Sequence, residues 1–500
     1  MAVINREEWD PILRDVEWDI SYVDRDMIYP EWLSGGGEVP EADWERWRED
    51  YHTTFRDYAT SQAEKETAAY AVMEAMRRSS VYDDLTEGWK SATKMHFGGV
   101  SSLEYLAALG ELRMARFGLS GSWRNMAVFG VLDEIRHTQI TLALAHTFIH
   151  LDPQYDWAQK AYHTDNWVTI AMRCLLDRMI SSASAVDVAI QLPFTLESGF
   201  TNLQFVALSA DALRAGDIGF SNMVGSIQTD EARHSQQGGP TLEILLEHDP
   251  VRAERLIHKM FWLAARAFAA LTGPVMDYYS PLDSRTHCYR EFIEEWVVGQ
   301  YKRSLADYGI GTPWYWDDFM QGLDTWHHGM HLGFWLLRPT VWWNSPAGVS
   351  DDERDWLREK YPDWQNLFGA KWDLMATNLQ NGVSAAGGLT TLPWLCSNCH
   401  LPNLCPTRGY DGRRLVRDWS LRHNGRTHHF CSRACRQYWW DDRDTLNLNT
   451  LTDRLLFGEI QPPDLPGVLA YMGLDAQSMG SDATGESWIP AYGRTGAGVA

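Results

Sequence analysis

Positive charge is in short supply in this 500-residue chain. Lys and Arg total 44 against 67 Asp and Glu, so the formal charge is 44 − 67 = −23. A surface that acidic excludes broad nucleic-acid binding, although a local basic patch stays compatible with it. Long apolar runs are lacking too. The N-terminus, MAVINREEWD, carries acids and has no apolar segment of the kind a secretion signal needs. Residues 188–210 hold one charge, Glu197, yet Gln191, Thr195, Ser198, Thr201, Asn202 and Gln204 make them too polar for lipid. The expectation is a cytoplasmic protein without a membrane span. Cysteine is sparse at seven residues, four of them in two close pairs, Cys396/Cys399 and Cys431/Cys435. Without an export signal, that pattern favours metal over disulfides. Apolar residues, by contrast, make up 45% and Trp alone 25 positions, which excludes a disordered or fibrous chain and suits a large core with extensive subunit contacts.

Few windows alternate with period two, so the fold class read here is mainly α. Residues 1–60, rich in Trp, Pro and acids, read as an N-terminal arm with short helices. Residues 61–390 read as a helical catalytic domain. Helical stretches are expected near 61–78, 101–117, 122–148, 157–182, 185–212, 217–236, 250–272 and 288–307. The first opens with Ser61 and Glu64 at capping-box spacing. Residues 391–440 form a four-cysteine, zinc-ribbon-like segment, and 441–500 a helical patch and a loop-like tail.

One internal repeat carries the chemistry. Asp133-Glu134-Ile135-Arg136-His137-Thr138-Gln139 recurs as Asp230-Glu231-Ala232-Arg233-His234-Ser235-Gln236. Glu and His at i and i+3 leave one face of a helix and can ligate one metal. The Asp four residues before each His shares that face and can take the imidazole's second N–H. A carboxylate-bridged metal pair in a four-helix bundle also needs one Glu from each of two further helices. Glu197, alone among apolar neighbours, requires a cation or a proton if buried. Glu104 is the choice for the fourth, because Val100, Leu103, Ala107 and Met114 share its side. Glu111 competes, but Arg113 and Arg116 lie close in sequence and make it more easily a solvated pair. Four carboxylates then balance two divalent ions, with iron the best fit and manganese the rival.

The two Asp-Glu-x-Arg-His motifs, Glu104, and the stretch ESGFTNLQF at 197–205 resemble the α subunit of the soluble diiron bacterial multicomponent monooxygenases, in the toluene, isoprene and alkene monooxygenase group. The resemblance extends over residues 123–139, 226–239, 271–279 (LTGPVMDYY), 313–317 and 461–463. It implies a ferritin-like core and a dimer of αβγ protomers. A Rieske-type ferredoxin, a small effector protein and an NADH reductase are implied as partners. Carried over by position, Glu104, Glu134 and His137 would hold one iron and Glu197, Glu231 and His234 the other. Thr201, one turn beyond Glu197, would assist dioxygen activation, and Asn202 and Gln228 would gate the surface where the effector docks. Asp133, Arg136, Asp230 and Arg233 would support the ligands.

The cysteine pairs, with thirty-one residues between their inner members, fit one four-thiolate zinc site, with Cys405 as a spare that could replace a ligand. His429-Phe430-Cys431-Ser432 resembles zinc-ribbon modules of phenol hydroxylase relatives. The segment from Cys396 to Trp440 is locally basic, eight Arg against two Asp, but a structural staple is preferred to a nucleic-acid reader. Cys174 and Cys288 read as small core residues. Val100, Leu103, Ala107, Leu176, Leu192, Leu196 and Phe205 are expected to wall the substrate cavity. All are apolar, so a small hydrocarbon is expected. Aromatic-hydroxylating relatives tend to carry Gly at the position of Leu103 and Phe at those of Leu176 and Leu196. The exchange favours epoxidation of a short alkene such as isoprene, with toluene or phenol hydroxylation as the alternative and another diiron enzyme, such as a desaturase, behind it.

Overall fold

The structure is a computed structural model of the chain. It describes residues 24–28, 30–49, 53–152, 155, 167–180, 184–336, 350–373, 394–403, 419–444, 453, 454, 457 and 459. Cys405, the expected patch and tail beyond 460, and the 461–463 match fall outside them.

The frame is helical, as its patterning suggested. Helix α1 (Phe55–Arg77) starts six residues before the expected Ser61. Thr54 is its cap, its hydroxyl accepting from the Asp57 N–H at 3.3 Å, so the Ser61/Glu64 pair lies inside the helix. Helices α2 (Glu87–Phe117) and α3 (Gly121–Phe148) are joined through residues 118–120 and fold back on one another. Thr86 and Ser120 cap them in the same way. Trp44 and Trp47, from the end of the N-terminal arm, are buried and stack on Trp123 with ring centroids 5.9 Å away in each case.

Then come α4 (Trp167–Ile180) and α5 (Ala185–Ala189). The helix expected over 185–212 is not uniform. Residues Ile190–Thr201 form π-helical turns before α6 (Asn202–Ala215) resumes the α geometry. Pro193 cannot donate to an α ladder, and the hydroxyls of Thr195, Ser198 and Thr201 each bond the carbonyl five residues back, at 2.8, 2.9 and 3.3 Å. Such wide turns are commonly found at functional sites. Helix α7 (Ile218–His234), capped by Asp217, packs on α1, α3 and α6. Helix α8 (Gly238–His248) and the long α9 (Pro250–Pro274) lie against the π-helical turns. Helix α10 (Trp326–Leu336) packs on α9.

The cysteine segment carries the only strands among the described residues. Strand β1 (Trp394–Leu395) pairs antiparallel with β2 (Pro402–Asn403), and β3 (Leu421–His423) with β4 (Arg426–His428). Helix α11 (Arg433–Asp442) follows, its Ser432 cap accepting from the Cys435 N–H at 3.1 Å. The module is fastened to the helical body at Asp442. This carboxylate meets Arg178 of α4 at 3.2 Å, and Arg255 and Lys259 of α9 at 2.5 Å each. No helix among the described residues is long and apolar enough to cross a membrane.

Candidate metal centres

Four helices aim six donors at one buried volume. Glu104 comes from α2, Glu134 and His137 from α3, Glu197 from the π-helical turns, and Glu231 and His234 from α7. All six are 5% exposed or less, a level at which carboxylates are not left without compensation. Their ligand atoms form two overlapping groups, Glu104/Glu134/His137/Glu231 and Glu134/Glu197/Glu231/His234, each within 4.8 Å. Glu134 and Glu231 belong to both groups and therefore lie between the two positions. His137 Nδ1 is 3.2 Å from Glu231, and His234 Nδ1 is 3.1 Å from Glu134.

The donor set fits two divalent cations. Both imidazole Nδ1 atoms, both oxygens of Glu197 and one oxygen each of Glu134 and Glu231 are buried without a hydrogen-bond partner. Burial, together with the neighbouring Glu231, pushes the Glu134 carboxyl up to about 7. Burial and Glu231 likewise drive Glu197 well above the usual carboxylate range. These groups need positive charge beside them, and two divalent ions supply it for four carboxylates.

Around this set the aspartates are exchanged between the motifs. The sequence suggested that each Asp braces the His of its own copy. Instead His137 Nε2 donates to Asp230 at 3.3 Å, and His234 Nε2 donates to Asp133 at 2.8 Å. The two helices face each other across the centre, so the partner helix's carboxylate is nearer than the one a turn back. Either way Nε2 carries the proton and Nδ1 is free for metal. Arg136 reaches Asp230 at 2.9 Å, and Arg233 pairs with Asp133. Burial would raise Asp230, but the hydrogen bond and charge of His137, with Lys65, hold it well below the usual range. Helix α1 supplies residues that sequence reasoning missed. Tyr58 donates to Asp133 at 2.9 Å, Gln62 bridges Asp133 and Asp230 at 3.0 and 2.9 Å, and Lys65 pairs with Asp230. Their spacing, 58, 62 and 65, is a polar stripe on one helix face and was the available signal.

Glu111 corrects another expectation. It is not a solvated partner of nearby arginines but fully buried, and both its oxygens accept from Gln237 Nε2 at 3.0 Å. Burial pushes it up to about 8, so it holds a proton at neutral pH. A Cβ at position 130 would collide with its carboxylate oxygen, which is why α3 has Gly130 there. A second unread cluster joins Asp277, His327 and His328. Asp277 accepts from His327 Nε2 and the Tyr361 hydroxyl at 2.7 Å each and from the Tyr289 N–H at 2.8 Å, so hydrogen bonds already account for this carboxylate.

A cavity beside the centre is lined by Val100, Leu103 and Phe205 of the expected wall, together with Glu104 and Thr201. Ala107, Leu176, Leu192 and Leu196 are buried but do not border it. Phe268, Leu271 and Thr272 of α9 complete one side. His96 also faces it, and burial lowers this imidazole to about 4, leaving it neutral. Gln228 donates to the Asn202 carbonyl at 3.5 Å, and neither residue borders the cavity.

The four cysteines of the C-terminal module, Cys396, Cys399, Cys431 and Cys435, are all buried with their sulfurs within 4.8 Å of one another. Cys174 and Cys288 are buried elsewhere.

Comparison with known proteins follows the same outline. The alkene monooxygenase oxygenase component subunit alpha of Xanthobacter autotrophicus (strain ATCC BAA-1158 / Py2) is 41% identical over 493 residues, 98% of each chain. The methane/phenol/alkene hydroxylase family model matches residues 18–249. The chain belongs to this family. The phenol 2-monooxygenase oxygenase component of Pseudomonas sp. (strain CF600) is also similar, 26% identical over 86% of this chain and 82% of that one. The fold matches that of phenol hydroxylase from Pseudomonas sp. OX1 at a TM-score of 0.79 and 22% identity, covering 98% and 96% of the two chains. Ferritin-like architecture and oxygenase membership, both implied by the motif resemblance, therefore hold.

Proposed function

We propose that this chain is the oxygenase α subunit of a multicomponent monooxygenase that inserts one oxygen atom of O2 into a small hydrocarbon, most readily the double bond of a short alkene. The observation that carries the reading is full-length similarity to an alkene monooxygenase α subunit combined with six buried donors in two overlapping groups. In this assignment Glu104, Glu134 and His137 hold one iron and Glu197, Glu231 and His234 the other. Two irons held there supply the activation of dioxygen. The protein's own work is positioning and exclusion. Asp133 and Asp230 fix the imidazoles, Arg136 and Arg233 hold those carboxylates, and the apolar cavity keeps water from the reacting face. The Thr201 hydroxyl, on the cavity wall, is placed to pass a proton at its Oγ1, while Asn202 and Gln228 form a gate toward an effector protein.

Among the described residues no charged side chain other than Glu104, an iron ligand in this assignment, borders the cavity, and His96 is neutral, so no group there is left to anchor a carboxylate, phosphate or amine. That favours a hydrocarbon. Hydroxylation of an aromatic ring is the second reading, supported by the similarity to a phenol 2-monooxygenase component. In the partner scheme, β and γ subunits complete a dimer of αβγ, and electrons arrive from NADH through a reductase and a Rieske-type ferredoxin. The outer faces of α2 and α3 expose Tyr105, Leu109, Leu112, Val128 and Leu132, an apolar stripe suited to a partner subunit. The thiolate module holds one structural zinc, and its cysteines, none of them in a disulfide, suit a reducing, cytoplasmic setting. The test is the reconstituted system supplied separately with isoprene and toluene. Higher catalytic efficiency on isoprene is expected. Higher efficiency on toluene would move the assignment to the aromatic reading.

A further inference from the structure

The cavity beside the metal centre is not apolar throughout. Gln204 of α6 lines it and is fully buried, yet neither Oε1 nor Nε2 of its amide meets a hydrogen-bond partner among the described residues. Thr272 of α9 lines it as well, and its Oγ1 is buried and equally without a partner there. A threonine inside a helix commonly settles its hydroxyl on the carbonyl four residues back. Thr138, Thr141, Thr147 and Thr241 do so at 3.0, 3.0, 3.1 and 3.1 Å, and Thr272 does not.

Buried polar groups are paired in the great majority of cases, because an unmade hydrogen bond leaves the full cost of lost hydration. The other uncharged polar side chains on this wall already hold protein bonds. The hydroxyls of Thr141 and Thr201 bond helix carbonyls, and His96 Nδ1 donates to the Ala92 carbonyl at 3.1 Å. The three bare atoms of Gln204 and Thr272 therefore describe what the cavity is built to hold. A hydrocarbon leaves all three bare. An epoxide or ether oxygen only accepts, so it serves the Gln204 N–H and leaves Oε1 unpaired. A hydroxyl both accepts and donates, which matches both ends of a primary amide. Neither side chain is charged, so an ionic ligand is not matched. Position sets the length of the ligand. Gln204 follows Thr201 by three residues, about 4.5 Å along the helix axis, within reach of a short carbon spacer.

We propose that the cavity also takes a short alkenol, its hydroxyl paired with the Gln204 amide and supported by the Thr272 hydroxyl, its double bond lying toward Thr201 and Glu104. The inference rests on the oxygenase reading above and adds a second substrate class to it. The net reaction consumes the alkenol, O2, two electrons and two protons. One oxygen atom forms two C–O bonds as the π bond is lost, giving an epoxy alcohol, and the other leaves as water. The electrons come from NADH through the reductase and ferredoxin of the same scheme. Gln204 and Thr272 are specificity-determining residues, since they touch the substrate's hydroxyl and not the reacting carbons.

The experiment uses the assembled oxygenase with its partner proteins. Two substrates are compared: homoallyl alcohol, a terminal butene ending in a hydroxyl, and the terminal pentene in which a methyl group replaces that hydroxyl. The ratio of kcat/KM for the alcohol to that for the alkene is measured in the parent, in Gln204→Met and in Thr272→Val. Both variants keep the size of the side chain and remove its hydrogen bonds. The parent is expected to epoxidise both substrates. The ratio should fall about tenfold or more in Gln204→Met and about threefold in Thr272→Val. A ratio that stays at the parental value in Gln204→Met overturns the proposal. So does a parent that epoxidises the alkene and not the alcohol, the polar groups then holding water only. A parent that oxidises neither compound, nor isoprene, overturns the oxygenase reading instead. If Gln204→Met does not assemble, Thr272→Val decides alone, and a parental ratio in that variant overturns the proposal.

Discussion

In the helical bundle, six donors project from four helices and are braced by a layer of aspartates, arginines and α1 side chains. In the C-terminal module, Cys396 and Cys399 lie in the turn between β1 and β2, Cys431 in the bend before α11 and Cys435 in its first turn, beside strands of two and three residues. The first centre sits within the large helical core. The second has little core of its own, so a bound metal would be part of what folds it. A rigid prebuilt site suits chemistry that needs open positions, and a closed four-thiolate site suits a fixed joint. Changes at the two centres should therefore fail in different ways.

The largest effect is expected at a shared carboxylate. Glu231→Ala should lower turnover by a factor of about a thousand or more and drop iron content, while the circular dichroism of the fold stays close to parental. Full iron loading with full activity in that variant would remove the six-residue assignment. Next comes the exchanged bracing. Asp230→Asn should weaken metal binding by about 10- to 100-fold, with the perturbation appearing at His137, the histidine of the other motif. A change confined to His234 would contradict the crossed geometry.

Cys399→Ser should do the opposite of Glu231→Ala. Zinc and thermal stability fall, yet the iron spectrum of any surviving dimer is unchanged, because none of the six iron donors lies on α9 or in the module. Disturbed iron ligation would blur the separation of the two centres. The smallest effect belongs to Glu111. Its carboxyl is raised from 4.5 to about 8 by burial, so the folded state holds a proton that the unfolded state gives up at lower pH. Its contribution to stability is complete below about 4.5 and is lost as pH rises to about 8. Glu111→Gln cannot ionise and can still bond Gln237. Its melting temperature relative to the parent should therefore climb by a few degrees between about pH 5 and about pH 8. A difference that stays flat with pH would mean that Glu111 is already ionised.

Much of this contrast was legible in the sequence because both centres repeat a short spacing. Glu and His three apart on a helix, written twice, announce a pair of metals whatever the rest of the chain does, and paired cysteines announce the second centre. Glu197 was legible as the one charge in an apolar stretch. What escaped depends on which helix faces which. The Asp133–His234 and Asp230–His137 exchange cannot be seen from i and i−4 spacing, because within one helix both partners are available and only the tertiary arrangement chooses. Glu111 was misread from Arg113 and Arg116, its neighbours in sequence, although its distance of seven from Glu104 places it on the same buried face. The π-helical turns were hidden because three hydroxyl residues fit an α pattern as well; Pro193, which cannot donate to an α ladder, was the one available signal. Asp277 lies in the 271–279 stretch, but no spacing links it to His327, fifty residues away.

The claim that one chain holds two centres with separate roles is tested most directly by metal analysis of the purified, catalytically active oxygenase. The account predicts about two irons and about one zinc per chain in the active protein, with activity proportional to iron. Full activity at one iron or fewer per chain, with manganese in place of iron, or with no zinc present, would contradict it.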